Sequence, residues 1–522
     1  MDIKIVGGKI YDGTGLKPFG ADVGIRDGRI VEIGDLSQAE ADETVQAQGL
    51  CVCPGFIDVH SHSDAYLLIE PSAPSKIFQG VTTEVVGNCG ASAAPRLGAF
   101  QIPSDWQDKN YPGVWSSVAD YRRLLEQARP AVNVVLLIGH RNLRVGVMGY
   151  EGRPSQPDEI RRMCALLEQA LEEGGAGLST GLIYAPGMFA QPEEIHALAR
   201  VAAARNKIYT SHMRSEGARL LEAIDETLRV GRQTGIRVEI SHLKTSGRKN
   251  WHLVDAALDR IRSARAEGLN VAADRYPYTA ACTDLDVILP DWAAEGGRET
   301  ILARLGSATT RKKIREEILA GRDDAYWTGV LIGSTWAPEN ASFQGMKLVD
   351  MASHLKLEPV DAAFHLFETD QLHTGAIFFG MSEENMWKIL AEPYVMIGSD
   401  ASIRSPEGPL SKDHPHPRAY GSFPFFLRAA FDGKTVEPAE AIRKMTSLPA
   451  AHFQLTDRGV LAKGKYADVV AFDPQRLSTP ASYAKPHQLA SGIQAVVVNG
   501  AMTIRDGRLT GERTGKLLSN RG

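Results

Sequence analysis

The feature that most constrains this chain is an alternation: a short apolar run closed by a polar residue, then a stretch with helical periodicity. Eight such runs occur. Residues 56–59 lead to His60, 84–86 to Asn88 and Cys89, 133–138 to His140, and 177–178 to Ser179 and Thr180. Residues 208–210 lead to His212, 238–240 to His242, 271–273 to Arg275 and Tyr276, and 394–397 to Ser399 and Asp400. Between them, 157–173 places Ile160, Met163, Leu166, Leu167 and Leu171 on one helical face, and 220–233 and 253–267 behave likewise. Strands alternating with helices are the grammar of βα units and a parallel sheet. Eight units predict an α/β fold, a closed (β/α)8 TIM barrel, whose chemistry sits at the C-terminal ends of the strands. The polar residues named above stand at those ends.

The two ends of the chain read differently. Residues 1–54 hold short strands (Lys4-Ile5-Val6, Asp22-Val23-Gly24-Ile25, Arg29-Ile30-Val31) with Asp27-Gly28 as a turn. The pattern returns at 468–472 and 495–498, with Asn499-Gly500 and Asp506-Gly507 as turns. This is hairpin patterning. It predicts a small β-sandwich domain built from both termini, 1–54 plus 458–522, beside a catalytic barrel of 55–284 plus 348–457. More than a hundred residues separate the seventh and eighth runs, too many for a single crossover. Residues 285–347, with a helix at 310–319, are expected to form an inserted subdomain that covers the barrel mouth as a lid.

Composition excludes several partners. Hydrophobic residues make up 43% and charged residues 23%, ordinary for a globular protein. The net charge of −5 comes without any basic run, which argues against nucleic acid. No apolar stretch reaches the ~18 residues of a membrane span, and the N-terminus lacks a signal-peptide layout. Five scattered cysteines point to reduced thiols and a cytoplasmic protein. Cys51 and Cys53 lie in an apolar strand and are expected in the core.

One set of strand-end residues carries metal chemistry. His60 and His62 are two apart, so on a strand both rings share a face and can reach one ion. His212 and His242 each end a later run behind a serine. Alone, the His60–His62 pair reads as a surface pair, and His212 or His242 as a hydrogen-bonded core residue; together, four histidines at three strand ends indicate a site. A carboxylate at Asp400 among them would be costly without a cation beside it. Cys89, which alone reads as a small buried hydrophobe, would offer zinc a thiolate.

These residues resemble a known family. The segment from Pro54 to His62, Gly87-Asn88-Cys89-Gly90, Ser211-His212, Ser241-His242 and Ser399-Asp400 resemble the amidohydrolase superfamily, and within it the N-acyl-D-amino-acid deacylase (D-aminoacylase) family. Other branches bridge two metals with a carboxylated lysine on the fourth strand. Here that strand reads Gly177-Leu178-Ser179-Thr180-Gly181, with no lysine. The resemblance covers nearly the whole chain, down to Gly464-Lys465-Tyr466-Ala467-Asp468-Val469-Val470. It implies zinc (Zn2+) held tightly by Cys89, His212 and His242. It also implies a second, weaker site at His60, His62 and Asp400, with Cys89 able to bridge.

The same resemblance implies hydrolysis of the amide bond of N-acyl-D-amino acids. Asp400 would be the general base, with Lys244, Tyr276 and Arg418 on the substrate α-carboxylate. Two departures stand out. Cys282 replaces a serine near that carboxylate, and a thiol is a weak donor. The stretch 401–413, which carries Arg404 and Lys412, is longer than usual, and an acidic side-chain preference is expected from it. The competing readings are a cyclic-amide hydrolase (hydantoinase or dihydroorotase type), a β-aspartyl dipeptidase on the same scaffold, or a metal-free assembly scaffold.

Overall fold

The computed structural model describes residues 1–519, apart from 101, 104, 105 and 108. All eight apolar runs form strands, and they pair side by side in chain order. They are Phe56–Asp58, Val81–Val86, Asn133–Gly139, Gly177–Gly181, Ile208–His212, Arg237–Ile240, Val271–Arg275 and Val395–Ile397, the first to eighth barrel strands below. Every pairing among them is parallel. The seam between the first and eighth is closed just beyond their ends. A parallel bridge joins Ser61 to Ala401, and the Asp400 N–H donates to His60 O at 2.8 Å.

Apart from half-buried Arg237 at the start of the sixth, these strands are buried along their whole length, as in Asn133–Gly139. Continuous apolar runs suit a sheet covered on both faces. The helices outside carry their own start and stop signals. Pro157–Glu172 begins with proline in its first turn, and Gln156 forms a capping box with Glu159. Its Met163, Leu167, Ala170 and Leu171 face the barrel. Leu220–Thr234 ends at Gly235, whose φ of 71° is the left-handed conformation a helix C-terminus favours.

The two termini build one nine-stranded mixed sheet. Cys51–Pro54 pairs antiparallel with Val469–Phe472 and so joins the first and last segments of the chain. The domain expected as a β-sandwich takes the form of this one sheet, eight strands along a path and Glu43–Gln46 branching from Ile3–Ile10. Its apolar cluster includes Ile5, Val23, Ile25, Val469, Ala495 and Val497. Cys51 and Cys53 are buried and unpaired, as the strand pattern predicts.

Between the seventh and eighth barrel strands the chain forms a three-stranded antiparallel sheet, with Gly375–Phe379 between Ala280–Asp284 and Val330–Ser334. Its helices pack into an apolar cluster that runs from Leu285 to Ala376. That cluster continues past 347. Leu348–Leu355 and Pro359–Thr369 contribute Leu348, Met351, Phe364 and Phe367 to it rather than to the barrel. We therefore place the C-terminal limit of the insertion near the strand Gly375–Phe379. Periodicity alone does not mark that limit, because an amphipathic helix looks the same on either core. Among the described residues no helix is long and apolar enough to cross a membrane.

Candidate active site

The C-terminal ends of the first, second, fifth, sixth and eighth strands converge on one point. Cys89 reaches it through a backbone crowded enough to require glycine. A Cβ on Gly90 would stand 2.5 Å from Gly181 N, and one on Gly181 would stand 2.1 Å from Cys89 O. The Gly-Asn-Cys-Gly and Ser-Thr-Gly runs are thus two halves of one contact between the second and fourth strands. Cys89, His242 and Asp400 all take positive φ (53°, 36° and 50°). For non-glycine residues this costs on the order of 1–3 kcal/mol each, and such strain gathers at functional sites.

Two groups of candidate ligands result, and they share one atom. His60, His62, Cys89 and Asp400 form one; Cys89, His212 and His242 form the other. Within each, the ligand atoms lie within 4.8 Å of one another. Cys89 Sγ is 3.2 Å from His60 Nε2 and 3.5 Å from His242 Nε2. His242 Nε2 in turn is 2.8 Å from His212 Nδ1. Asp400 Oδ1 faces His62 Nε2 at 3.1 Å and His60 Nε2 at 3.5 Å. All six residues proposed from the sequence as metal ligands are therefore brought together.

Proximity reshapes their acidity. Burial opposes ionisation of Cys89, yet the facing His60, His242 and His212 outweigh it and hold the thiol well below its ordinary value. Asp400 behaves alike: burial would raise it, but Arg418, His242 and His60 hold it well below the usual carboxylate range. For His62, burial works downward, and contacts with Asp400 and Cys89 lift it to about 9. His212 is pushed down by burial and by the neighbouring His242.

Four residues outside the sequence-derived set support the site. Asp274, on the seventh strand, lies 3.1 Å from His60 Nδ1. Glu216 lies 2.8 Å from His242 Nδ1 and also pairs with Lys244. Carboxylates behind imidazole ligands fix their tautomer and orientation. Lys76, wholly buried, reaches Asp58 Oδ2 at 2.8 Å, Glu84 at 3.0 Å, Ser399 Oγ at 2.8 Å and Ala401 O at 2.9 Å. It and Asp58 thereby clamp the first strand to the eighth on either side of Asp400. Asp58 and Asp274 each carry a sequence signal, a carboxylate inside an apolar strand. Glu216 and Lys76 carry none, since they lie on the connections that follow the fifth and first strands.

The residues expected to meet a substrate carboxylate are also near. Arg418 Nη1 is 2.8 Å from Asp400 Oδ2, and its guanidinium lies over the Tyr276 ring at 4.5 Å. Tyr276 Oη and Arg418 Nε are buried without a hydrogen-bond partner. Lys244 is brought in but held by Glu216. The Cys282 carbonyl, rather than its thiol, accepts from Arg418 Nη2 at 3.3 Å. His416 is buried and donates to Ala280 O at 2.9 Å, while His414 bonds Tyr483 O at 2.6 Å. In the stretch 401–413, Arg404 is engaged by Asp413 at 2.8 Å, whereas Lys412 is exposed. A cavity of about 600 Å³ adjoins the site, between Tyr184 and Glu216 on the barrel side and Val287, Leu289 and Arg298 of the insertion.

The donor set suits zinc: thiolate, imidazole and carboxylate are its preferred ligands. His212 Nε2 is buried without a hydrogen-bond partner, an orphaned atom that a metal-binding pocket accounts for.

The chain is similar to known proteins along nearly its whole length. The amidohydrolase family model matches residues 43–510. The N-acyl-D-glutamate deacylase of Alcaligenes xylosoxydans xylosoxydans is 38% identical over 506 residues, 96% of this chain and 93% of the relative. The D-aminoacylase of the same organism is 37% identical over 521 residues, 99% of this chain and 98% of the relative. The crystal structure of the N-acyl-D-glutamate deacylase of Bordetella bronchiseptica superposes with a TM-score of 0.84 at 36% identity, covering 99% of both chains. It holds zinc and a phosphonate inhibitor that mimics the tetrahedral intermediate.

Proposed function

Because the chain belongs to the amidohydrolase family, in its N-acyl-D-amino-acid deacylase (D-aminoacylase) branch, we propose that it hydrolyses the amide bond of N-acyl-D-amino acids, with zinc as its metal. The reaction releases a carboxylic acid and a D-amino acid. The observation that carries this reading is the position of Asp400, with one oxygen toward His60 and His62 and the other toward Arg418.

In this reading Cys89, His212 and His242 would hold zinc tightly, and His60, His62 and Asp400, with Cys89, would hold a second ion more weakly. Zinc, when bound, supplies Lewis acidity to the scissile carbonyl and to the attacking water. The other steps fall to the side chains. Asp400, kept ionised by Arg418, His242 and His60, takes the proton of the attacking water. It returns that proton to the nitrogen as the C–N bond breaks, since an amide anion leaves poorly without it. Tyr276 Oη and Arg418 Nε, both without protein partners, hold the α-carboxylate, and Lys244 adds a cation where it can be drawn from Glu216. The substrate side chain occupies the cavity beside Tyr184.

Paired D and L N-acetyl amino acids with aspartate, glutamate, leucine and methionine side chains test the proposal, alongside a hydantoin. Turnover of the D series supports it. Turnover of the hydantoin with none of the N-acyl compounds would transfer the chain to the cyclic-amide hydrolases. Asp400→Ala is expected to abolish turnover while zinc stays bound, and Cys89→Ala to lose the metal as well.

A further inference from the structure

The sixth barrel strand carries an acidic residue in its middle. Glu239 pairs in register with Ala272 on the seventh strand. Asp274, two residues on, therefore shares the inward face with it. Both are sealed from solvent, at 1% and 0% exposure. Asp274 Oδ2 meets His60 Nδ1 at 3.1 Å, while Asp274 Oδ1 has no donor among the described residues. Neither oxygen of Glu239 has a donor either.

Two carboxylates side by side in a dry interior cannot both be charged without a cation between them. Only one of this pair meets a nitrogen donor: Asp274 Oδ2 lies against His60 Nδ1, while Glu239 meets none among the described residues. Glu239 faces Asp274, and burial together with the Asp274 carboxylate pushes its acidity far toward the protonated form. Gly398, just past the eighth strand, leaves the room this requires: a Cβ there would stand 2.5 Å from the His60 Cβ and 2.8 Å from Asp274 Oδ1.

We propose that Glu239 is a resident carboxylic acid that donates a hydrogen bond to Asp274, completing a chain Glu239–Asp274–His60 that keeps the His60 proton on Nδ1 and presents Nε2 to Cys89 and Asp400. Glu239 is a positioning residue. It touches neither substrate nor the candidate metal ligands and acts through Asp274. The proposal rests on the reading of His60 as a metal-site residue. The effect of the chain is to hold the His60 ring in one tautomer before any ion arrives, which second-layer carboxylates achieve at metal sites in general.

Two measurements that need no substrate test it. The infrared difference spectrum between the protein and Glu239→Gln, at mildly alkaline pH, should show the carbonyl stretch of a protonated carboxylic acid, shifted in heavy water. Titration of the metal-free protein with zinc should show Glu239→Gln, which keeps a neutral donor, binding like the parent. Glu239→Leu, which removes the donor, should bind its second zinc about 10-fold more weakly and its first unchanged. A difference spectrum without the acid band overturns the proposal, as does a Gln variant that loses the second zinc. Should the Leu variant fail to fold, the spectrum and the Gln titration still decide. A protein that shows the band but cleaves no N-acyl amino acid would refute the proposed substrate and leave Glu239 as described. An active deacylase without the band would do the reverse.

Discussion

Arg418 Nη1 lies 2.8 Å from Asp400 Oδ2, with only 5% and 11% of the two side chains exposed. A guanidinium this close keeps the carboxylate in its base form across the neutral range. Arg418→Ala should therefore move the acid limb of kcat/KM upward. The sign follows from the direction of the shift: Asp400 sits below the usual carboxylate range, and without Arg418 its protonation begins at higher pH, so rate is lost from the acid side. A pH–rate profile with an unmoved acid limb would break the link between this pair and general-base catalysis.

Zinc uptake should release protons, and unequally between the two ligand groups. In the metal-free protein His62 is lifted to about 9, so at neutral pH it is charged and must shed a proton to bind. His60 beside it is pushed up as well, whereas in the other group only His242 is pushed up and His212 is pushed down. Affinity at the His60, His62 and Asp400 group should rise with pH until His62 has titrated, and affinity at the His212 side should change less. Calorimetry in buffers of different ionisation enthalpy measures the protons released. Equal release at both steps would contradict this assignment.

Gly181→Ala should damage the site while leaving every ligand side chain in the sequence. The added methyl would meet the Cys89 carbonyl at 2.1 Å, and a backbone atom cannot swing aside as a side chain can. Cys89 belongs to both ligand groups, so both should weaken. Metal analysis of the purified variant is expected to find well below one zinc per chain, with far-ultraviolet circular dichroism unchanged.

Lys76→Met should cost stability. It leaves Asp58 and Glu84 buried without the ammonium that now faces both, and breaking a buried ion pair from one side costs about 3–5 kcal/mol. Denaturant unfolding of the zinc-loaded protein measures it. A loss below about 1 kcal/mol would show that the cluster is wetter than its geometry indicates.

The barrel was legible because each strand is short, apolar and closed by a polar residue, a pattern that survives without any long-range information. Cys89, His212 and His242 were visible for the same reason, as polar side chains at the ends of such runs. The support behind them was harder to see. Glu216 follows His212 by four residues on a loop, and nothing local shows that it turns back to His242. Lys76 reads as an ordinary surface residue until the fold wraps Asp58 and Glu84 around it. The extent of the insertion was hidden because Leu348–Leu355 and Pro359–Thr369 have the same periodicity as barrel helices while packing on another core. The expectation for Arg404 shows a further limit. Its charge was visible, but Asp413, nine residues on, engages it.

The contact between Ser61 and Ala401 spans 340 residues of sequence, and the ligand groups straddle it. A chain emerging from the ribosome has presented seven strands of the barrel, the sulfur and four imidazoles before the eighth strand and Asp400 appear. The closing strand and its carboxylate thus arrive last, and a truncation that spares most of the molecule would still remove both.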